Sequence, residues 1–207
     1  MSVPTKMALI FKRLEAAPAH QKSRRIAPAL RRLMPLLLVC VTGLAAGAPP
    51  IAGNFTLATT DGTEVSERSF RGKWELIYFG YATCPEICST VMQRVAAALV
   101  DLGPAATQVQ PLFITLDPAH DKPELLSQYL SNFDRRIVGL TGTEKQTQAA
   151  VKAFKMYFKT RTLDNGATSI DHSSFLFLMK PDGSFARLLS GDTPGHKLAD
   201  ELRRQLL

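Results

Sequence analysis

Trp74-Glu75-Leu76-Ile77-Tyr78-Phe79-Gly80-Tyr81 is an almost unbroken run of strand-forming residues, and Cys84-Pro85-Glu86-Ile87-Cys88 follows it after only Ala82-Thr83. An apolar run without polar alternation suits a central strand buried on both faces. Past the cysteines, Val91, Val95, Ala98, Leu99 and Leu102 recur at helical spacing, and Gly103-Pro104 stops that helix. A buried strand handing over to a helix through two cysteines demands a layered α/β fold. It also puts both thiols at a helix N-terminus, where free N–H groups and the helix dipole lower a thiol's pKa. Four residues apart, the side chains are expected on one helical face, with Cβ atoms about 5–6 Å apart. Two sulfurs so placed can share a metal ion or close a disulfide.

The rest of the chain supplies the layers. Phe55–Ala58 and Glu64–Val65 flank Thr60-Asp61-Gly62, a hairpin signal. Val109–Leu116 reads as a second strand closed by Asp117-Pro118, Lys122–Phe133 as a helix, and Ile137–Leu140 as a short strand. Glu144–Phe158 is expected to be helical, with Ala150, Phe154 and Phe158 on one face. Phe175–Met179 and Phe185–Leu189 are strands joined by Pro181-Asp182-Gly183, and Lys197–Leu206 is a terminal helix. The order predicts a mainly parallel sheet with a late antiparallel hairpin, the thioredoxin-like layout with an N-terminal hairpin and insertions.

The chain of 207 residues has a net charge of +7, which would suggest nucleic acid if it were spread over the domain. It is not. Residues 1–48 hold eight Lys/Arg and one acid, leaving 17 basic and 17 acidic residues for 49–207. A formally neutral domain removes the electrostatic case for nucleic-acid binding. Arg31 and Arg32 run into the uncharged stretch Leu33–Ala48, which ends on small residues, the form of a secretory signal or a single membrane anchor. The two alternatives stay open. Either way the cationic flank stays in the cytoplasm, and the domain lies on the periplasmic side of a bacterial inner membrane. The chain therefore divides into a basic N-region with its apolar segment at 1–48, a linker at 49–53 and a thioredoxin-like domain at 54–207.

Of three cysteines, Cys40 lies in the targeting segment, so the exported part keeps Cys84 and Cys88. In an oxidising compartment two thiols this close are a disulfide, a redox pair or a metal site. Soft thiolates select cuprous copper or zinc, and imidazole suits both metals and cupric copper. Structural zinc wants a fourth strong ligand, whereas the exported part adds only His120, His172 and His196. Three-ligand copper fits better. His172, in Ser169-Ile170-Asp171-His172-Ser173-Ser174 before the strand Phe175–Met179, is placed in a loop beside the cysteine helix. Asp171 either orients the ring or sits in a solvated turn. His120 and His196 read as surface residues, Met156 and Met179 as core, and Met92, one turn beyond Cys88, as core with a minor claim to axial contact.

At these residues the chain resembles the SCO/SenC family of copper proteins, which serve assembly of the copper centre of cytochrome c oxidase. The likeness covers about residues 51–206 and rests on three segments: Gly80-Tyr81-Ala82-Thr83-Cys84-Pro85-Glu86-Ile87-Cys88, Thr115-Leu116-Asp117-Pro118, and Asp171-His172-Ser173 with Pro181-Asp182-Gly183. The resemblance implies a thioredoxin-like fold and copper, as Cu(I), Cu(II) or both, on Cys84, Cys88 and His172. It implies as partners a copper-receiving oxidase subunit and other copper or thiol carriers. Glu86 stands where the family usually has Asp, and Ser89 where it commonly has Pro. The competing reading is an exported thiol–disulfide oxidoreductase using Cys84 and Cys88 as a redox pair without metal. The CxxxC spacing and the lack of a proline between Tyr157 and Met179 argue against it in part. A thiol peroxidase would need a reactive cysteine with a supporting Arg or Thr. Thr83 is present, but no Arg is near in sequence, and two cysteines four apart with a histidine fit that chemistry poorly.

Overall fold

The computed structural model describes residues 51–162 and 168–206. The signal or anchor segment at 1–48, and residues 49–50 of the linker, lie outside them. Among the described residues no helix is long and apolar enough to cross a membrane.

A seven-stranded mixed sheet forms the centre, with spatial order β2-β1-β5-β4-β3-β8-β9. Its strands are β1 (Thr56–Thr59), β2 (Glu64–Ser66), β3 (Trp74–Gly80), β4 (Val109–Thr115), β5 (Val138–Thr141), β8 (Phe175–Met179) and β9 (Phe185–Ser190). The helices are α1 (Ile87–Leu102), α2 (Pro123–Leu130), α3 (Glu144–Ala153) and α4 (Gly195–Leu206). A separate two-stranded sheet pairs β6 (Phe158–Thr162) with β7 (Thr168–His172).

Only β3–β4 and β4–β5 are parallel; β1–β2, β1–β5, β3–β8 and β8–β9 are antiparallel. This corrects the expectation of a mainly parallel sheet. Parallel pairing needs a crossover, and α1 and α2 supply the two that join strands of this sheet directly. Each tight hairpin, through its Asp-Gly or Pro-Asp-Gly turn, instead contributes one strand antiparallel to the central trio.

Residues 75–80 of β3 are buried throughout, as the unbroken apolar run requires. Successive side chains face opposite ways. Phe79 packs edge-on against Phe154 and Phe177, with ring centroids 5.2 and 5.8 Å away. Tyr78 faces Phe113, His172 and Cys88. Burying a side chain of Phe size contributes about 1.5–3 kcal/mol, so β3 anchors a core on both faces while its carboxyl end supports the cysteine segment. The α1 stripe Val91, Val95, Ala98, Leu99 and Leu102 is buried as its spacing predicts.

The helix expected over Glu144–Phe158 ends earlier. Lys155 takes φ 51°, with Lys155 N–H donating to Lys152 O at 3.1 Å and Met156 N–H to Val151 O at 3.0 Å. That is a Schellman motif with lysine where glycine is usual. Phe158 therefore opens β6 instead of lying on the helix face. His172 is the last residue of β7 and not a loop residue, because Phe158 pairs with it in the hairpin register.

Candidate metal centre

Cys84 precedes α1 and is not on it, which corrects the expectation of two cysteines on one helical face. Its N–H donates to Tyr81 O at 3.2 Å, turning the chain at the end of β3. Glu86 is the N-cap residue of α1 but makes no side-chain cap bond. The Cys88 N–H, one of the unpaired donors of the first helical turn, donates to Cys84 Sγ at 3.4 Å. The first sulfur thus serves as a surrogate cap, and the helix start brings the second sulfur to it.

His172 closes the site from β7. Its Nε2 lies 3.7 Å from Cys88 Sγ although 84 residues separate the two in sequence. Its Nδ1 donates to Ser173 O at 3.1 Å, which leaves the Nε2 lone pair free for a metal. The ligand atoms of Cys84, Cys88 and His172 all lie within 4.8 Å of one another. Both cysteines are free thiols. Cys88 is fully buried, while Cys84 keeps 7% exposure and lines an open cleft of about 460 Å³ with Tyr81, Ile87, Ile170, His172 and Ser174.

The two thiols titrate in opposite directions. The Cys84 thiol is pulled down to about 4, first by the hydrogen bond from the Cys88 side chain, then by His172 and the backbone N–H groups of Cys88 and Glu86. The Cys88 thiol is pushed up, first by the adjoining Cys84 sulfur and then by burial. The sulfur whose pKa is lowered is thus the one that faces the cleft. Tyr78 Oη donates to Cys88 Sγ at 3.7 Å.

Other residues singled out from sequence fall elsewhere. Asp171 pairs with Arg161 across the hairpin and does not orient the imidazole. His120 is exposed and bonded to Asp117, His196 is exposed, and Met92, Met156 and Met179 are core residues.

Sequence reasoning missed Tyr81 and Asp121. Tyr81 meets the His172 ring edge-on at a centroid distance of 6.2 Å. Asp121, fully buried, accepts from Ala82 N–H at 2.9 Å and Thr115 Oγ1 at 2.6 Å, pinning the segment that leads to Cys84. Burial raises its carboxyl above the ordinary range. The only sequence sign of either was proximity to a cysteine or to Asp117-Pro118.

A family model described as SCO1/SenC matches residues 44–207. Protein sco1 of Schizosaccharomyces pombe is 36% identical over 157 residues, covering 74% of this chain and 60% of that protein. The chain thus spans less than two thirds of that relative's length. Protein SenC of Rhodobacter capsulatus is 36% identical over 163 residues, covering 79% of this chain and 74% of that protein. The structure of Bradyrhizobium japonicum ScoI with copper bound superposes with a TM-score of 0.70 at 32% identity, covering 74% of this chain and 98% of that one. The thioredoxin-like fold, the clustered cysteines and histidine and the sequence match agree, and this chain belongs to the SCO1/SenC family.

Proposed function

We propose that this chain carries copper on Cys84, Cys88 and His172 and delivers it during assembly of the copper centre of cytochrome c oxidase. The observation that carries the reading is the convergence of two thiols and one imidazole within 4.8 Å, from segments far apart in the chain. Two soft sulfurs and one borderline nitrogen match copper better than a hard cation. The copper-bound relative of the same fold supports the assignment. The cleft beside Cys84 gives an incoming ligand access to the cargo, so copper leaves by exchange of ligands, without unfolding of the site.

Metal loading and thiol oxidation exclude each other. Thiol–disulfide exchange with a carrier's disulfide joins Cys84 and Cys88, passes two electrons to that disulfide, which leaves as a dithiol, and so removes two of the three ligands. Dithiol exchange on the same pair is a second reading. It is favoured by the lowered thiol pKa of Cys84 at the cleft with Cys88 buried behind it. The partners are then a copper-receiving oxidase subunit and other copper or thiol carriers. The domain at 54–207 works on the periplasmic side of a bacterial inner membrane, led there or held there by 1–48 through the linker at 49–53. The bacterial relative supports that placement.

Anaerobic titration of the reduced chain tests the carrier reading. One copper per chain is expected, with His172→Ala weakening affinity on the order of tenfold or more and Cys84→Ser or Cys88→Ser removing tight binding. Unchanged stoichiometry, affinity and spectra in His172→Ala would refute it. Disulfide reductase activity that survives in His172→Ala while copper binding is lost separates the second reading from the first.

A further inference from the structure

The third donor stands on an element that is not part of the main sheet. Strands β6 and β7 pair only with each other among the described residues. A polar contact ties β7 to the segment leading into the cysteines: Ile170 N–H donates to Tyr81 Oη at 3.4 Å. Ile170 is 6% exposed, so this bond is formed away from bulk water and is lost if the hydroxyl is removed. The same Tyr81 side chain is 4% exposed, and its ring meets the His172 ring at 74°. One side chain, three residues before Cys84, therefore grips both the backbone of the arm and the imidazole that the arm presents.

We propose that Tyr81 is a positioning residue whose hydroxyl sets how firmly His172 engages the metal, and through it the balance between cupric and cuprous copper. The inference rests on the copper-carrier reading. Two thiolates satisfy cuprous copper on their own, whereas cupric copper draws on nitrogen donors and a higher ligand count. Loosening the arm costs the imidazole contact and leaves the sulfurs in place. Cys84 Sγ is held to the start of α1 by the Cys88 N–H, a bond in which Tyr81 Oη takes no part. The hydroxyl thus acts on one ligand of three.

The test uses the full reduced chain and the variant Tyr81→Phe, which keeps the ring and removes the hydroxyl. Cupric affinity is expected to fall about threefold to tenfold, the range for one hydrogen bond, while cuprous affinity changes by less than about twofold. The sulfur-to-copper charge-transfer band of the cupric form is expected to shift. In a His172→Ala background, Tyr81→Phe is expected to lower cupric affinity no further. In the metal-free protein the Ile170 amide is expected to exchange faster once the hydroxyl is gone. Equal losses in both oxidation states, an additive loss in the His172→Ala background, or no change at all overturns the proposal. If the variant does not fold, exchange of the Ile170 amide in the wild-type chain decides: protection like that of paired strand amides supports the bond, and exchange at an open-edge rate overturns it. A wild-type chain that binds no copper refutes the proposed function itself, and this inference with it. Normal wild-type loading with an indistinguishable Tyr81→Phe refutes the inference alone.

Discussion

Cys84 and Cys88 carry the same thiol, and their surroundings set them apart. One sulfur receives a helix N–H at the edge of a cleft; the other is sealed beneath it beside Tyr78. Glu75 shows the same dependence on place at the other end of β3. It is 1% exposed, its Oε1 has no hydrogen-bond partner, and burial raises its carboxyl to about 7, with Arg71 only partly opposing. The folded protein therefore holds a proton that the unfolded chain releases near its ordinary value of 4.5. Between those two values the folded state binds more protons, so this group's contribution to stability falls as pH rises from about 4.5 to about 7 and is flat above. Glu75→Gln is expected to match wild type at pH 5 and to exceed it by about 2 kcal/mol at pH 8. Denaturant unfolding at both pH values checks this, and equal stabilities at pH 8 would sink it. The strand position of Glu75 was legible in its neighbours. Its lack of a partner was not, because that depends on what β4 and β8 place around it.

Helix boundaries decide where the ligands stand. Helix α1 follows its apolar period, but its start is set by Pro85, Glu86 and the Cys84 sulfur, which is why spacing alone wrongly put Cys84 on the helix. Helix α3 begins with a capping box: Thr143 Oγ1 accepts Gln146 N–H at 3.2 Å and Gln146 Oε1 accepts Thr143 N–H at 2.8 Å. Thr143→Ala is expected to cost about 1 kcal/mol, read as a lower denaturation midpoint with an unchanged m-value. A cost below about 0.3 kcal/mol would show that packing on β1 holds the helix without the cap. The far end of α3 was not legible, because Lys155 occupies the left-handed position that glycine usually marks. That one hidden stop conceals β6, and with it the strand that bears His172. The polar sequence of β6, Phe158-Lys159-Thr160-Arg161-Thr162, gives no apolar signal of its own.

At the scale of the molecule, the site joins the end of β3, the start of α1 and the β6–β7 hairpin, so a metal bound there ties the hairpin to the main sheet. A cation that binds the folded state alone adds RT ln(1 + [L]/Kd) to the unfolding free energy, about 2.7 kcal/mol at a free concentration of 100 Kd. Copper loading is therefore expected to raise Tm by about 5–10 °C. A chelator, or oxidation of Cys84 and Cys88 to a disulfide before copper is added, is expected to abolish the rise. Calorimetry of the apo and loaded chain reads it; a loaded protein melting with the apo form would show that the metal does not distinguish folded from unfolded chain.

Hydrophobic periodicity, turn residues and the CPEIC segment were enough to establish the α/β class, the central strand and the helix that follows it, because each is encoded over a few neighbouring residues. His172 entered as a candidate donor only through its place before Phe175–Met179 and the family resemblance. Tertiary structure alone decided the largely antiparallel pairing, the hairpin under His172, the opposite pKa shifts of the two thiols and the grip of Tyr81 on the arm. Those depend on contacts between segments far apart in the chain, such as Glu75 with Met179 and Ile170 with Tyr81, and the burial and hydrogen-bond partners that set them exist only once the chain has closed on itself.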